Sequence, residues 1–181
     1  MVEYSNHLML FKKILVPYDN SKPSHDALEK AIEVTKSMDK SRLFILHVVP
    51  ELPLPYLFDR PVRNKAGKRT TMVDYFKQVH DELRTNAKMK LQHIEEKCEK
   101  EGIDTEIHIL SGSPARTIIE FAREKGIDLI IISSRDSTPS ERGKSRRRGR
   151  RIMRTVLPGS LGSVSRAVAE SAPCPILLIR A

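Results

Sequence analysis

Gly162-Ser163-Val164-Ser165 places a glycine and two hydroxyls at the start of a helical pattern. The first backbone N–H groups of a helix have no acceptor within it, and the dipole is positive there, so such a start favours an anion such as phosphate. An ordinary helix cap has the same composition. Asp19 closes a short apolar run and can accept from a ribose hydroxyl or an adenine amino group; its alternative is a turn closed on Asn20 and Ser21. Arg142-Gly143-Lys144-Ser145 resembles the end of a phosphate-binding P-loop, but that motif requires a glycine where Thr138 stands. The six histidines form no metal-ligand spacing. His47, within an apolar run, reads as a hydrogen-bonded core residue, and His93 and Cys98 point to different faces of one helix. No nucleophile stands beside a base at a fixed short spacing, so no catalytic or metal-binding residue is assigned and enzyme status stays open.

The other chemically marked segment is basic. Between Arg135 and Arg154 nine Lys and Arg stand against two acids, a local charge of +7 out of the chain's +9. Within it, Arg146, Arg147, Arg148, Arg150 and Arg151 are candidates for holding a polyanion by Coulomb attraction and counterion release; the alternative is a solvated loop, since no aromatic side chain is interleaved for stacking on bases.

The elements that must carry these residues follow from composition and periodicity. With 181 residues, 39% apolar and 30% charged, the chain predicts one globular domain over 1–181 with a core large enough to need no metal or disulfide. Two cysteines and no export signal or 18-residue apolar run predict a cytoplasmic protein without a membrane span. Lys13–Tyr18 reads as a strand, residues 24–37 as a helix, and Arg42–Val49 as a strand apolar enough to be covered on both faces. Residues 50–70, with prolines and no periodicity, read as a long loop, a possible lid over a site. Met72–Glu101 reads as a long helix whose stripe Phe76, Val79, Leu83, Ala87, Leu91 and Ile94 faces the core, closed by Gly102. A strand over Asp104–Leu110, a helix capped by Ser113 and opened by Pro114, and a strand over Asp128–Ser133 follow. After the basic loop, 134–158, come a short helix to Ser171 and a strand over Pro173–Ile179. Five strands alternating with four helices predict an α/β fold, an open five-stranded parallel sheet with helices on both faces. Such sheets bind ligands beyond the carboxyl ends of their strands where strand order reverses, which singles out Pro17–Ser21, Val48–Pro50 and Ser133–Ser165.

Lys13-Ile-Leu-Val-Pro-Tyr-Asp19, Leu46-His-Val-Val49, Gly112-Ser-Pro-Ala115, Asp128-Leu-Ile130, Gly162-Ser-Val-Ser165 and Ala172-Pro-Cys-Pro-Ile-Leu177 together carry a resemblance. From Phe11 to Arg180 the chain resembles the universal stress protein family. The resemblance implies a doubly wound, Rossmann-like sheet, a homodimer through the last strand and a role in stress response. It also implies a nucleotide site: Asp19 and neighbouring Pro17 against adenosine, backbone near Val48 against adenine, Ile132 and Ser133 at the fourth strand's end, and Gly162, Ser163, Val164 and Ser165 around the phosphates. The implied ligand is ATP or a related adenine nucleotide, with or without magnesium. One branch of the family carries two further glycines after the fourth strand and another branch binds no nucleotide. Here Ser133 and Asp136 stand at the places of those glycines, and 25 residues instead of nine separate Asp136 from Gly162. Gly149, nine residues and then Gly159-Ser160 reproduce the second half of the pattern. Two readings follow: a nucleotide-binding regulatory sensor, or a dimeric interaction protein without nucleotide whose arginine loop docks an acidic protein or nucleic acid.

Overall fold

The computed structural model describes residues 11–38, 40–51, 61–63, 66–67, 69–134 and 161–180. Five strands form a parallel sheet in the order β5-β2-β1-β6-β7, with β1 at Lys13–Pro17, β2 at Arg42–Pro50, β5 at Asp104–Gly112, β6 at Leu129–Ser133 and β7 at Ile176–Ile179. Helices α1 (Lys22–Lys36) and α2 (Met72–Lys100) cover one face, and α3 (Pro114–Lys125) and α4 (Ser163–Ser171) the other. The predicted α/β architecture is therefore the observed one.

The side-chain period of two divides the strands between two cores. Ile14, Val16, Leu43, Ile45 and Ile131 meet Ala27, Leu28, Ala31 and Ile32 of α1 and Leu91, Ile94 and Cys98 of α2. Leu15, Phe44, Leu46, Ile130 and Ile132 meet Ile118, Phe121 and Ala122 of α3 and Val168 of α4. The central strand β1 buries Ile14, Leu15 and Val16 completely, as expected of a strand covered on both faces.

Two sequence expectations are corrected. Part of the segment read as a loop over 50–70 is an antiparallel hairpin, β3 (Pro61–Arg63) with β4 (Arg69–Thr71). Three-residue strands are too short to show a period, and Pro61 is admissible because it begins a strand that has a partner on one side only. The second correction concerns α2, whose predicted core stripe is buried only at Ala87, Leu91 and Ile94, continued by Cys98. Leu83 is 42% exposed, and Phe76 and Val79 are only half-buried. A helix of 29 residues is roughly 43 Å long, whereas nine residues of β5 span about 30 Å, so the amino-terminal part of α2 runs past the sheet.

Candidate functional site

Chain order reverses at β1: the path first moves outward through β2 to β5, then returns across the other face to β6. Crossover helices consequently leave β1 and β6 on opposite faces, and a crevice opens between them at the carboxyl ends. A cavity of ≈ 300 Å³ occupies it, near the lower end of the range usual for small-molecule sites. Pro17, Tyr18 and Asp19 from the end of β1 line it, with Leu46, His47, Val48 and Pro50 from β2 and Ile132 and Ser133 from β6. Helices close the remaining walls through Ser24 of α1, Pro114 and Ile118 of α3, and Val164 and Ser165 of α4.

The turn that presents Asp19 is held from several sides. The Tyr18 N–H donates to Leu46 O at 2.9 Å, and His47 Nδ1 lies 2.7 Å from Tyr18 O. A carbonyl only accepts, so Nδ1 carries the proton of that bond. Asn20 takes the left-handed conformation at φ 66°, which an Asn tolerates better than most residues. Tyr18 is buried and its hydroxyl lies 2.9 Å from His25 Nε2 and 3.3 Å from Asn20 Oδ1. Burial, reinforced by the neighbouring Asp19 charge, pushes the phenol up to about 12, so Tyr18 remains a neutral donor.

Asp19 accepts the Ser21 N–H at 2.9 Å, the turn given as its alternative reading. Partial burial acts to raise its pKa, but hydrogen bonds from Ser21 and Ser24 outweigh it and hold the carboxyl below the ordinary aspartate value. The side chain is solvent-exposed and lines the cavity, so the same carboxylate that closes the turn is available to a ligand. Ser21 in turn caps α1, its hydroxyl accepting the Ser24 N–H at 3.2 Å.

On the opposite wall Gly162 is the N-cap of α4 with φ −61°, a value open to any residue, and its N–H donates to Ser134 O at 2.9 Å. Val164 and Ser165 occupy the first turn, the end at which the dipole is positive. Ser165 is 2% exposed, and its hydroxyl lies 3.3 Å from both Ser134 O and Gly162 O, tying the exit of β6 to the helix start.

Of the residues singled out from the sequence, Pro17, Asp19, Val48, Ile132, Ser133, Val164 and Ser165 line one cavity. Gly162 and Ser163 begin α4 beside it without lining it. Arg146, Arg147, Arg148, Arg150 and Arg151 lie outside the described residues, as do Asp136, Gly149, Gly159 and Ser160. His47 is half-buried and bonded as expected, yet it also faces the cavity. Ser113 stands at the predicted cap of α3, but its carbonyl, not its hydroxyl, makes the bond, accepting Thr117 N–H at 2.9 Å. Sequence reasoning missed Ser24, Leu46, Pro114 and Ile118 as lining residues; the start signal at Ser113-Pro114 located a helix end without showing which strand ends it would face. Among the described residues no group of His, Cys, Asp and Glu is arranged to hold a metal ion.

The sequence profile of the universal stress protein family matches residues 10–180. The chain belongs to the universal stress protein family. Universal stress protein YxiE of Bacillus subtilis is 28% identical over 171 residues, covering 94% of this chain and 100% of that protein. Universal stress protein UspA from Lactobacillus plantarum has the same fold, with a TM-score of 0.68 at 21% identity over 94% of this chain and 98% of its own. Two further family structures hold nucleotides. A universal stress protein in complex with cAMP superimposes with a TM-score of 0.57 at 17% identity, covering 94% of this chain and 98% of that one. An Arabidopsis thaliana family protein with AMP bound gives 0.55 at 17% identity, covering 93% and 91%.

Proposed function

We propose that this universal stress protein binds an adenine nucleotide at the carboxyl end of its sheet and acts as a regulatory sensor. The observation that carries the reading is the convergence, around one cavity at the switch point, of the Asp19 carboxylate, the end of β2 at Val48 and the first turn of α4. A hydroxyl-bearing sugar would meet Asp19, a flat apolar base would lie against Val48 and Ile132, and phosphate would face the positive end of α4. Family members solved with cAMP and with AMP support this choice of ligand. ATP, with or without magnesium, is the larger member of the same class.

Calorimetric titration of nucleotide-free protein with Mg-ATP, AMP and cAMP at two salt concentrations tests it. Affinity that survives the higher salt is expected, and is expected to vanish in Gly162→Asp. Aspartate is a favoured N-cap, so that variant keeps the helix while placing a carboxylate where phosphate would sit. An unchanged affinity in Gly162→Asp would overturn the assignment.

Ser133 favours a second reading, because it brings a side chain to a place where close backbone approach to phosphate calls for glycine. In that reading the protein is an interaction partner without nucleotide, and the same titration gives only weak, salt-sensitive binding. Both readings include a second copy paired along β7, an edge of the sheet on which Leu177 is 38% exposed. A dimeric mass in solution, converted to monomer by Leu177→Asp, is the expected result.

A further inference from the structure

The hairpin β3–β4 alternates in a simple way. Val62 and Thr70 are half-buried, whereas Pro61, Arg63, Arg69 and Thr71 are exposed. The register pairs Arg63 directly with Arg69. Directly opposed side chains in an antiparallel pair have Cβ atoms about 5 Å apart, and like charges there repel. No described carboxylate forms an ion pair with either guanidinium. The nearest acid that follows in sequence, Asp74, accepts from the Thr71 hydroxyl at 2.8 Å instead. Arg63 is steadied by donating to Gly67 O at 3.2 Å, which leaves donors of its fork for another acceptor. The sequence around the pair adds to the charge: residues 60–69 hold five Lys and Arg and no acid. With the +7 of residues 135–154, this segment accounts for more than the whole net charge of +9, so the rest of the chain is net acidic.

We propose that the outer face of this hairpin, centred on Arg63 and Arg69, is a docking surface for the phosphate backbone of a nucleic-acid strand. Two adjacent guanidinium forks match a phosphate in geometry as well as charge, and a bound phosphate relieves their mutual repulsion. Among the described residues the exposed side of the hairpin is Pro61, Arg63, Arg69 and Thr71, so its character is set by charge, and it contacts the phosphates and not the bases of a strand. A polyelectrolyte needs no apolar anchor, because released counterions supply its affinity. No described residue of the hairpin lines the cavity at the carboxyl end of the sheet.

The test is fluorescence anisotropy of the full chain with a 20-nucleotide single strand, RNA in one arm and DNA in the other, at several salt concentrations. Replacing both residues, Arg63→Gln with Arg69→Gln, should lower the slope of log K against log salt by about 1.4 and weaken binding roughly twentyfold at 0.1 M salt. The same loss is expected when Arg146–Arg151 have already been neutralised, which separates the two basic segments. Arg63→Lys with Arg69→Lys keeps the charge and should keep the slope, with some affinity lost because the fork is gone; a slope reduced as far as in the Gln variant would mean that hairpin structure, not charge, is responsible and would overturn the proposal. So would an unchanged slope in the Gln variant, or a loss confined to poly-glutamate or anionic vesicles. A melting temperature equal to that of the unsubstituted protein shows that the Gln variant is folded.

Discussion

The two ends of β1 differ in what satisfies them. At the amino end the chain seals itself: one carboxylate oxygen of Asp128 accepts the N–H groups of Lys12 and Lys13, each at 3.0 Å, and Asp128 N–H donates back to Lys13 O at 2.9 Å. The Lys13 ammonium caps the carboxyl end of α3 by donating to Lys125 O at 2.7 Å. At the carboxyl end the crossovers part, and a carboxylate and the positive end of α4 face a cavity. Both ends use an aspartate that accepts backbone N–H groups. Asp128 spends its accepting capacity on two successive N–H groups at the start of β1, whereas Asp19 spends part of it on its own turn and also lines the cavity. The lesson is that the amino end of β1 is closed by the chain's own side chains, whereas its carboxyl end, where the crossovers part, lines a cavity.

Substitutions at the two ends should therefore separate stability from binding. The largest effect is expected from Gly162→Asp, which should lower nucleotide affinity roughly a hundredfold or more through repulsion of phosphate while leaving the melting temperature equal or slightly higher. Asp128→Ala should do the reverse, costing about 1 kcal/mol in denaturant unfolding through the loss of two solvent-exposed hydrogen bonds, with nucleotide affinity unchanged. If Asp128→Ala altered affinity as strongly as stability, the two ends would not be independent. Asp19→Asn should weaken nucleotide binding by about tenfold in the same calorimetric titration, the cost of losing a charged acceptor. The smallest expected effect lies in the acid limb of stability. Asp19 is held below its ordinary value of 3.8, so its contribution is complete above that pH and is lost as pH falls through the lower folded value. Acid unfolding of Asp19→Asn should accordingly be slightly less steep below about pH 4 than that of the unsubstituted protein.

Legibility varied along the chain for physical reasons. The inner strands could be read because strands covered on both faces are nearly continuous runs of apolar residues, as in Leu43–Leu46 and Leu129–Ile132, and the edge strand β5 because it alternates. Gly126 could be read as the end of α3 because the left-handed cap at φ 62° suits glycine. The hairpin was not legible, since three residues per strand carry no period and the arginine pairing exists only in the register. Nor was the exposure of Leu83: its spacing suits a core stripe, but burial depends on whether the sheet extends beneath it.

By itself the sequence determined the order and type of the sheet strands and four helices, the reversal of strand order expected of such alternation, and membership of the universal stress protein family. These are local or pattern properties, written in apolar periodicity, caps and short motifs. Tertiary structure alone decided that Ser24, Pro114 and Ile118 wall the cavity shared by Asp19, Val48, Ser133 and Ser165, and that His47 faces it while bonded to Tyr18. It also decided that Arg63 stands opposite Arg69. Each of these depends on which elements become neighbours, and that is set by the packing of two helical layers on one sheet.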